Sequence, residues 1–121
     1  MLGGLVEVAE ASEVGVRVDL EAIPVRAEVR AVCGQVGIDP YTSISEGTLI
    51  ATVVNEGAEA FVAALAAEGI ASAVVGEVVE RSAGSVLVTS EGERQLGHPG
   101  PDPFWEAFGR WAQEAAAGVT S

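Results

Sequence analysis

A chain of 121 residues, 49% of them apolar, can bury one core and is short for an enzyme that must enclose two substrates. Its 18 Asp and Glu stand against 6 Arg with no Lys, a formal charge of -12, so nucleic acid and anionic membranes are disfavoured as partners and lysine chemistry is excluded. Cys33 and His98 are the sole residues of their types, which excludes an intrachain disulfide and leaves no basis for a metal cage or a Cys/His nucleophile pair.

In chain order, Leu2, Leu5, Val6 and Ala9 recur at helical spacing with Glu7 and Glu10 opposite, which predicts a helix over 2–11. It has no capping Ser, Thr, Asp or Asn, and Gly3-Gly4 is read as close packing or a frayed start rather than an anion nest. Alternation of Val14, Val16 and Val18 with Gly15, Arg17 and Asp19 predicts a strand that is wet on the Arg17 side. A second helix is expected within 21–36, with Pro24 in its first turn. Val25, Val29, Val32, Cys33 and Val36 form its apolar stripe, Arg26 and Arg30 its outer face, and Gly37 its end. On that stripe Cys33 is a small buried hydrophobe.

Residues 39–43 form a turn-rich connection to Ser45-Glu46-Gly47-Thr48, where a hydroxyl, a carboxylate and a flexible residue precede an apolar, β-branched run. The run predicts a central strand over 48–54, and loops held at the mouth of a strand are where ligand contacts gather. Asn55 is the expected cap of a third helix, which buries Ala58, Phe61, Val62, Leu65 and Ala66 and stops at Gly69. A strand over 70–79, a turn at 81–84 and a hairpin strand over 85–89 follow, so 48–79 reads as a strand-helix-strand crossover. Residues 91–101, with His98, read as an exposed loop.

The last helix, 102–117, opens on Asp102 as cap and Pro103 at its first position. It carries Phe104, Trp105, Phe108, Trp111, Ala112 and Ala115 on one broad stripe, suited to a core or a homo-oligomer contact, with Glu106 and Arg110 paired on its wet side. The alternation predicts a single α+β domain over 1–121, an approximately four-stranded mixed sheet with helices mainly on one face. No long apolar run or leader is present, so a cytoplasmic location is the default.

A family resemblance rests on an ordered series: 7–16, Ile23-Pro24-Val25-Arg26 running to Val32-Cys33, Asp39-Pro40, Ser45-Glu46-Gly47-Thr48-Leu49, and Val74-Val75-Gly76-Glu77-Val78. Over residues 2–90 the series resembles the C-terminal domain of the aminoimidazole ribonucleotide (AIR) synthase, or PurM-like, superfamily, nearest to its HypE and AIR synthase-related branches. The resemblance implies ATP-dependent chemistry on a small molecule or carried carbamoyl group. An N-terminal ATP-binding domain would be the partner, holding most contacts to ATP and Mg, with none expected here. It places Ser45, Glu46, Gly47 and Thr48 near the substrate. The Asp-x-Thr-x-Gly-Gly loop that usually opens such domains is absent, and Gly3-Gly4 are given no phosphate role. HypE ends in a carbamoyl-accepting Cys, whereas this sequence ends Gly118-Val119-Thr120-Ser121, which favours a related, less defined member. Three readings stand: a domain inactive without its ATP-binding half, a freestanding metabolite-binding module, or an oligomerisation domain using the aromatic helix.

Overall fold

The computed structural model describes residues 1–119; Thr120 and Ser121, and with them the expectation attached to the end of the chain, lie outside the described residues. Contacts sort the chain into two compact units. One comprises Met1–Gly3, Val25–Thr48 and the chain from Pro99 onward, the other Gly4–Pro24 and Leu49–His98.

The second unit holds the sheet. Strands β1 (Gly15–Asp19), β2 (Gly76–Val79), β3 (Val86–Thr89) and β4 (Gly92–Gln95) lie in the order β2-β1-β3-β4. β1 runs antiparallel to β2 and parallel to β3, and β3 and β4 form an antiparallel hairpin, so the sheet is mixed and the fold α+β, as the alternation predicts. Val18 faces Gly76 on one side and Leu87 on the other, and Leu87 is fully enclosed. The buried residues of this unit are Leu5, Val6 and Ala9 of helix α1 (Leu2–Ala11), together with Val16, Val18, Ile23, Leu87 and Leu96. The predicted apolar face of α1 is therefore the buried one, with Glu7 and Glu10 exposed. The helix ends where Glu13 turns left-handed at φ 56° and Val14 N–H donates to the Ala9 carbonyl at 3.0 Å.

Several expectations in this unit are corrected. Residues 48–54 form no strand: Leu49 is 80% exposed, Val54 75%, and no ladder partner is found for the run among the described residues. β-Branched residues fit a pleated, half-buried surface rather than creating one, so the run stays irregular where no neighbouring strand offers its edge. The expected crossover over 48–79 is lost with it, and the 70–79 strand shrinks to β2. β3 does not fold back on β2 but lies across β1 from it. Finally, 92–95 is a strand inside the expected 91–101 loop. All four residues of β4 are exposed, so no apolar alternation marks it. Its turn is held by the Thr89 hydroxyl, which donates to the Gly92 carbonyl at 3.0 Å and accepts from Glu91 N–H at 3.3 Å.

Helix α3 (Ala58–Ala67) is preceded by a 3-10 turn over Asn55–Gly57, so Asn55 opens the turn instead of capping the helix. No residue of α3 is buried and Phe61 is exposed, which corrects the buried face expected there; Gly69, at φ 75°, follows its end.

In the first unit, helix α2 (Ala27–Val36) begins later than expected, with extended Arg26 at its N-cap and Pro24 ahead of the helix. Two local constraints delay it. Asp19 Oδ1 accepts Glu21 N–H at 2.9 Å, tying the approach into a turn, and the residue before a proline is disfavoured in helical geometry. That residue, Ile23, is buried instead. The apolar stripe of α2 is not: no residue of this helix is buried, Val29 and Val32 are exposed, and Cys33 is half-buried, which corrects its reading as a core residue. Gly37 does end the helix, at φ 68°, where its N–H and that of Ile38 both reach the Cys33 carbonyl.

The 39–43 turn forms on Asp39, whose carboxylate accepts Tyr41 N–H at 2.9 Å and whose carbonyl accepts from Thr42 and Ser43. The Tyr41 carbonyl in turn accepts Leu2 N–H at 3.1 Å, supplying the start of α1 with the acceptor its sequence lacks. Helix α4 (Pro103–Val119) starts as its sequence predicts, Asp102 Oδ1 accepting Phe104 N–H at 3.0 Å. Removing that acceptor with Asp102→Ala is expected to lower stability by about 1 kcal/mol, read as a drop in the urea midpoint, while Asp102→Asn stays near the parent. Ala107 is fully buried, whereas Phe104, Trp105, Phe108 and Trp111 are exposed, so the aromatic stripe is not core.

Candidate functional site

Ser45, Glu46, Gly47 and Thr48 lie together in an exposed turn of the first unit. The Ser45 and Thr48 hydroxyls are 2.5 Å apart and hydrogen-bonded, closing the turn on itself with the Glu46 carboxylate between them in sequence. The group offers hydroxyl donors and a carboxylate acceptor to a ligand carrying hydroxyl or amine groups. Nothing lies within 4 Å of where a Cβ on Gly47 would stand, so this glycine is not demanded by crowding.

Arg17, on the wet side of β1 as expected, is engaged on the outer face of the sheet, donating from Nη2 to Glu93 Oε1 on β4. This hydrogen bond and the charge of the guanidinium hold the Glu93 carboxyl below the usual carboxylate range, and the carboxylate raises Arg17 in turn. Because the folded value of Glu93 is depressed, its contribution to stability is present above the ordinary pKa and is lost as pH falls through the lowered one. Thermal melting of the parent is thus expected to decline more steeply than that of Glu93→Gln below about pH 4.5. Both side chains are exposed, so the difference should be small and shrink further with salt.

Arg81 meets Glu13 at 2.9 Å, and His98, exposed in its loop as expected, meets Glu7 at 3.1 Å. These partners are 68 and 91 residues apart, and nothing in local sequence could pair them. Arg110 pairs with Glu106 at 3.1 Å as the helical spacing predicts, and Arg30 lies over the Tyr41 ring at 5.9 Å. Among the described residues no three His, Cys, Asp or Glu side chains converge to hold a metal ion, and Arg17, Arg81 and Arg110 each face a carboxylate.

Among the described residues one open concavity of about 440 Å³ lies between Leu20 and the 89–94 hairpin, and another of about 530 Å³ is bordered by Thr42, Asp102, Trp105 and three prolines. Neither includes the 45–48 turn. No helix among the described residues is long and apolar enough to cross a membrane.

With the sheet and the turn in place, the chain belongs to the AIR synthase related protein, C-terminal domain family, whose pattern matches residues 1–89. In particular it is similar to the carbamoyl dehydratase HypE of Rhizobium leguminosarum bv. viciae, 47% identical over 75 residues that cover 60% of this chain and 21% of the relative. HypE of Escherichia coli K12 is 34% identical over 100 residues, covering 81% of this chain and 30% of the relative. A putative hydrogenase expression/formation protein of Methanocaldococcus jannaschii is 31% identical over a stretch of equal length. The crystal structure of E. coli HypE, a hydrogenase maturation protein, matches with a TM-score of 0.71 at 34% identity over 84% of this chain and 33% of that one. The chain therefore spans between a fifth and a third of the length of these relatives.

Proposed function

We propose that this chain is the C-terminal domain of a HypE-related, ATP-dependent enzyme. In this reading it closes over a small-molecule site built mostly by an N-terminal ATP-binding domain and is inactive without it. The 45–48 turn meets the substrate, Glu46 accepting from a hydroxyl or amine and the Ser45–Thr48 pair fixing its position. ATP and Mg are held by the N-terminal domain. The observation that carries the reading is the course of the chain after the turn. The apolar, β-branched run over 48–54, which lies within the matched residues, is exposed at every position but Ile50 and has no ladder partner among the described residues, the kind of segment that a second domain would cover.

The test is a chimera in which this chain replaces the matching C-terminal part of E. coli HypE. The chimera is expected to hydrolyse ATP, while the 121-residue chain alone shows neither hydrolysis nor calorimetric ATP binding. Glu46→Gln in the chimera should lower kcat/KM by about tenfold or more, the loss of a hydrogen bond to a charged group. ATP binding by the isolated chain, or full activity in the Glu46→Gln chimera, would overturn the assignment.

A further inference from the structure

Helix α4 carries four large aromatics on one face, and all are partly exposed: Phe104 is 41% exposed, Trp105 67%, Phe108 52% and Trp111 37%. Three of the rings are joined, Phe104 being stacked on Phe108 at 5.8 Å and set edge-on to Trp105 at 5.4 Å, and Trp111 follows one turn on from Phe108. The Glu106–Arg110 pair projects from the opposite side of the helix, leaving this face without charge in its middle. The helix lies beyond residues 1–89, the part matched by the family pattern.

We propose that this face is a self-association surface on which α4 of a second copy docks antiparallel. The seam Phe104, Phe108, Trp111, Ala115 follows the alternating four-and-three spacing of a helix-pairing interface. It is also self-complementary. An antiparallel two-fold placed midway along the seam sets Phe104 over Ala115 of the second copy and Phe108 over Trp111, large against small at the ends and ring against ring in the centre. The parallel alternative puts Phe104 on Phe104 and leaves the alanines facing each other. The uncovered aromatic surface is roughly 400 Å² per copy, given the 150–250 Å² such side chains bury. Two copies, with the flanking Ala112 and the helix edges, reach the roughly 1,000 Å² that a specific interface requires. The copies each carry a charge of -12, so the dimer forms against electrostatic repulsion and tightens as salt rises, where docking of a cationic partner would weaken.

Both tryptophans of the chain, Trp105 and Trp111, lie on this face, so their emission reports its burial directly. In sedimentation velocity from about 1 to 500 µM the 121-residue chain is expected to pass from 12.3 kDa to twice that mass, with a blue shift of Trp emission and a midpoint that falls on adding salt. Phe108→Asp should weaken association by at least about tenfold with an unchanged far-ultraviolet spectrum. Ala115→Phe alone should weaken it, by setting two large rings against each other, and Phe104→Ala with Ala115→Phe should restore it. A chain that stays monomeric over the whole range overturns the proposal. So does association that survives Phe108→Asp, or a double variant no tighter than Ala115→Phe.

Discussion

Gly76→Ala is expected to abolish cooperative folding, or to lower stability by about 3 kcal/mol or more, measured by urea unfolding of the 121-residue chain. A Cβ at this position would stand 2.1 Å from the Arg17 carbonyl oxygen and 3.0 Å from both Arg17 C and Val18 Cα. All three are backbone atoms of β1, so no rotamer change can make room. Gly76 faces Val18 in the β1–β2 ladder, and just beyond it Asp19 N–H donates to the Val75 carbonyl at 2.8 Å. Relief therefore requires the two strands to part. Gly15 is clamped in the same way, its Cβ position lying 2.2 Å from the Gly84 carbonyl oxygen, where Gly84 itself takes φ 71°. Gly47→Ala is the control: with open space around it and no left-handed φ, it should be neutral or slightly stabilising, within about 1 kcal/mol. Equal losses at Gly47 and Gly76 would show that the β1–β2 approach is not what glycine serves.

These two clamped glycines explain part of what was legible beforehand. Both lie in the short stretches that carry the family resemblance, around Val14-Gly15-Val16 and Val75-Gly76-Glu77, and both are places where another backbone comes too close for a side chain. The sequence was readable wherever an element met its own requirements locally. The buried stripe of α1 shows its spacing, the Asp102-Pro103 start of α4 supplies its own cap, and Gly37 closes α2. It misled where the outcome depended on a distant neighbour. The 48–54 run has every composition mark of a central strand but no strand beside it among the described residues, whereas β4 has none of those marks and pairs because β3 offers an edge and Arg17 reaches Glu93. At the candidate site the turn could be read from its residue types, and the closing of Ser45 on Thr48 needs only residues three apart. The pairing of His98 with Glu7 spans most of the chain and left no local trace.

Leu87→Ala should be the most damaging single truncation in the sheet, lowering stability by about 3 to 4 kcal/mol. Leu87 has no exposed surface and sits in register with Val18, itself 2% exposed, on the parallel partner strand. Its loss therefore opens a void at the junction of β1 and β3, where the flanking ladders resist collapse. Against a total stability of about 5 to 15 kcal/mol for a domain of this kind, the variant would be partly unfolded near its working temperature. Leu87→Met, which nearly conserves volume, should cost less than about 1.5 kcal/mol. The informative comparison is Leu49→Ala. A leucine in a central strand over 48–54 would be as costly to truncate as Leu87, but Leu49 is 80% exposed, and its truncation should change the urea midpoint by no more than about 0.5 kcal/mol equivalent. The same substitution in the E. coli HypE chimera separates the two roles of this run. If a second domain covers Leu49, as the proposed function requires, Leu49→Ala becomes destabilising there while remaining silent in the isolated chain. A silent Leu49→Ala in both settings would leave the apolar run without a partner, and the argument from its exposure would fail.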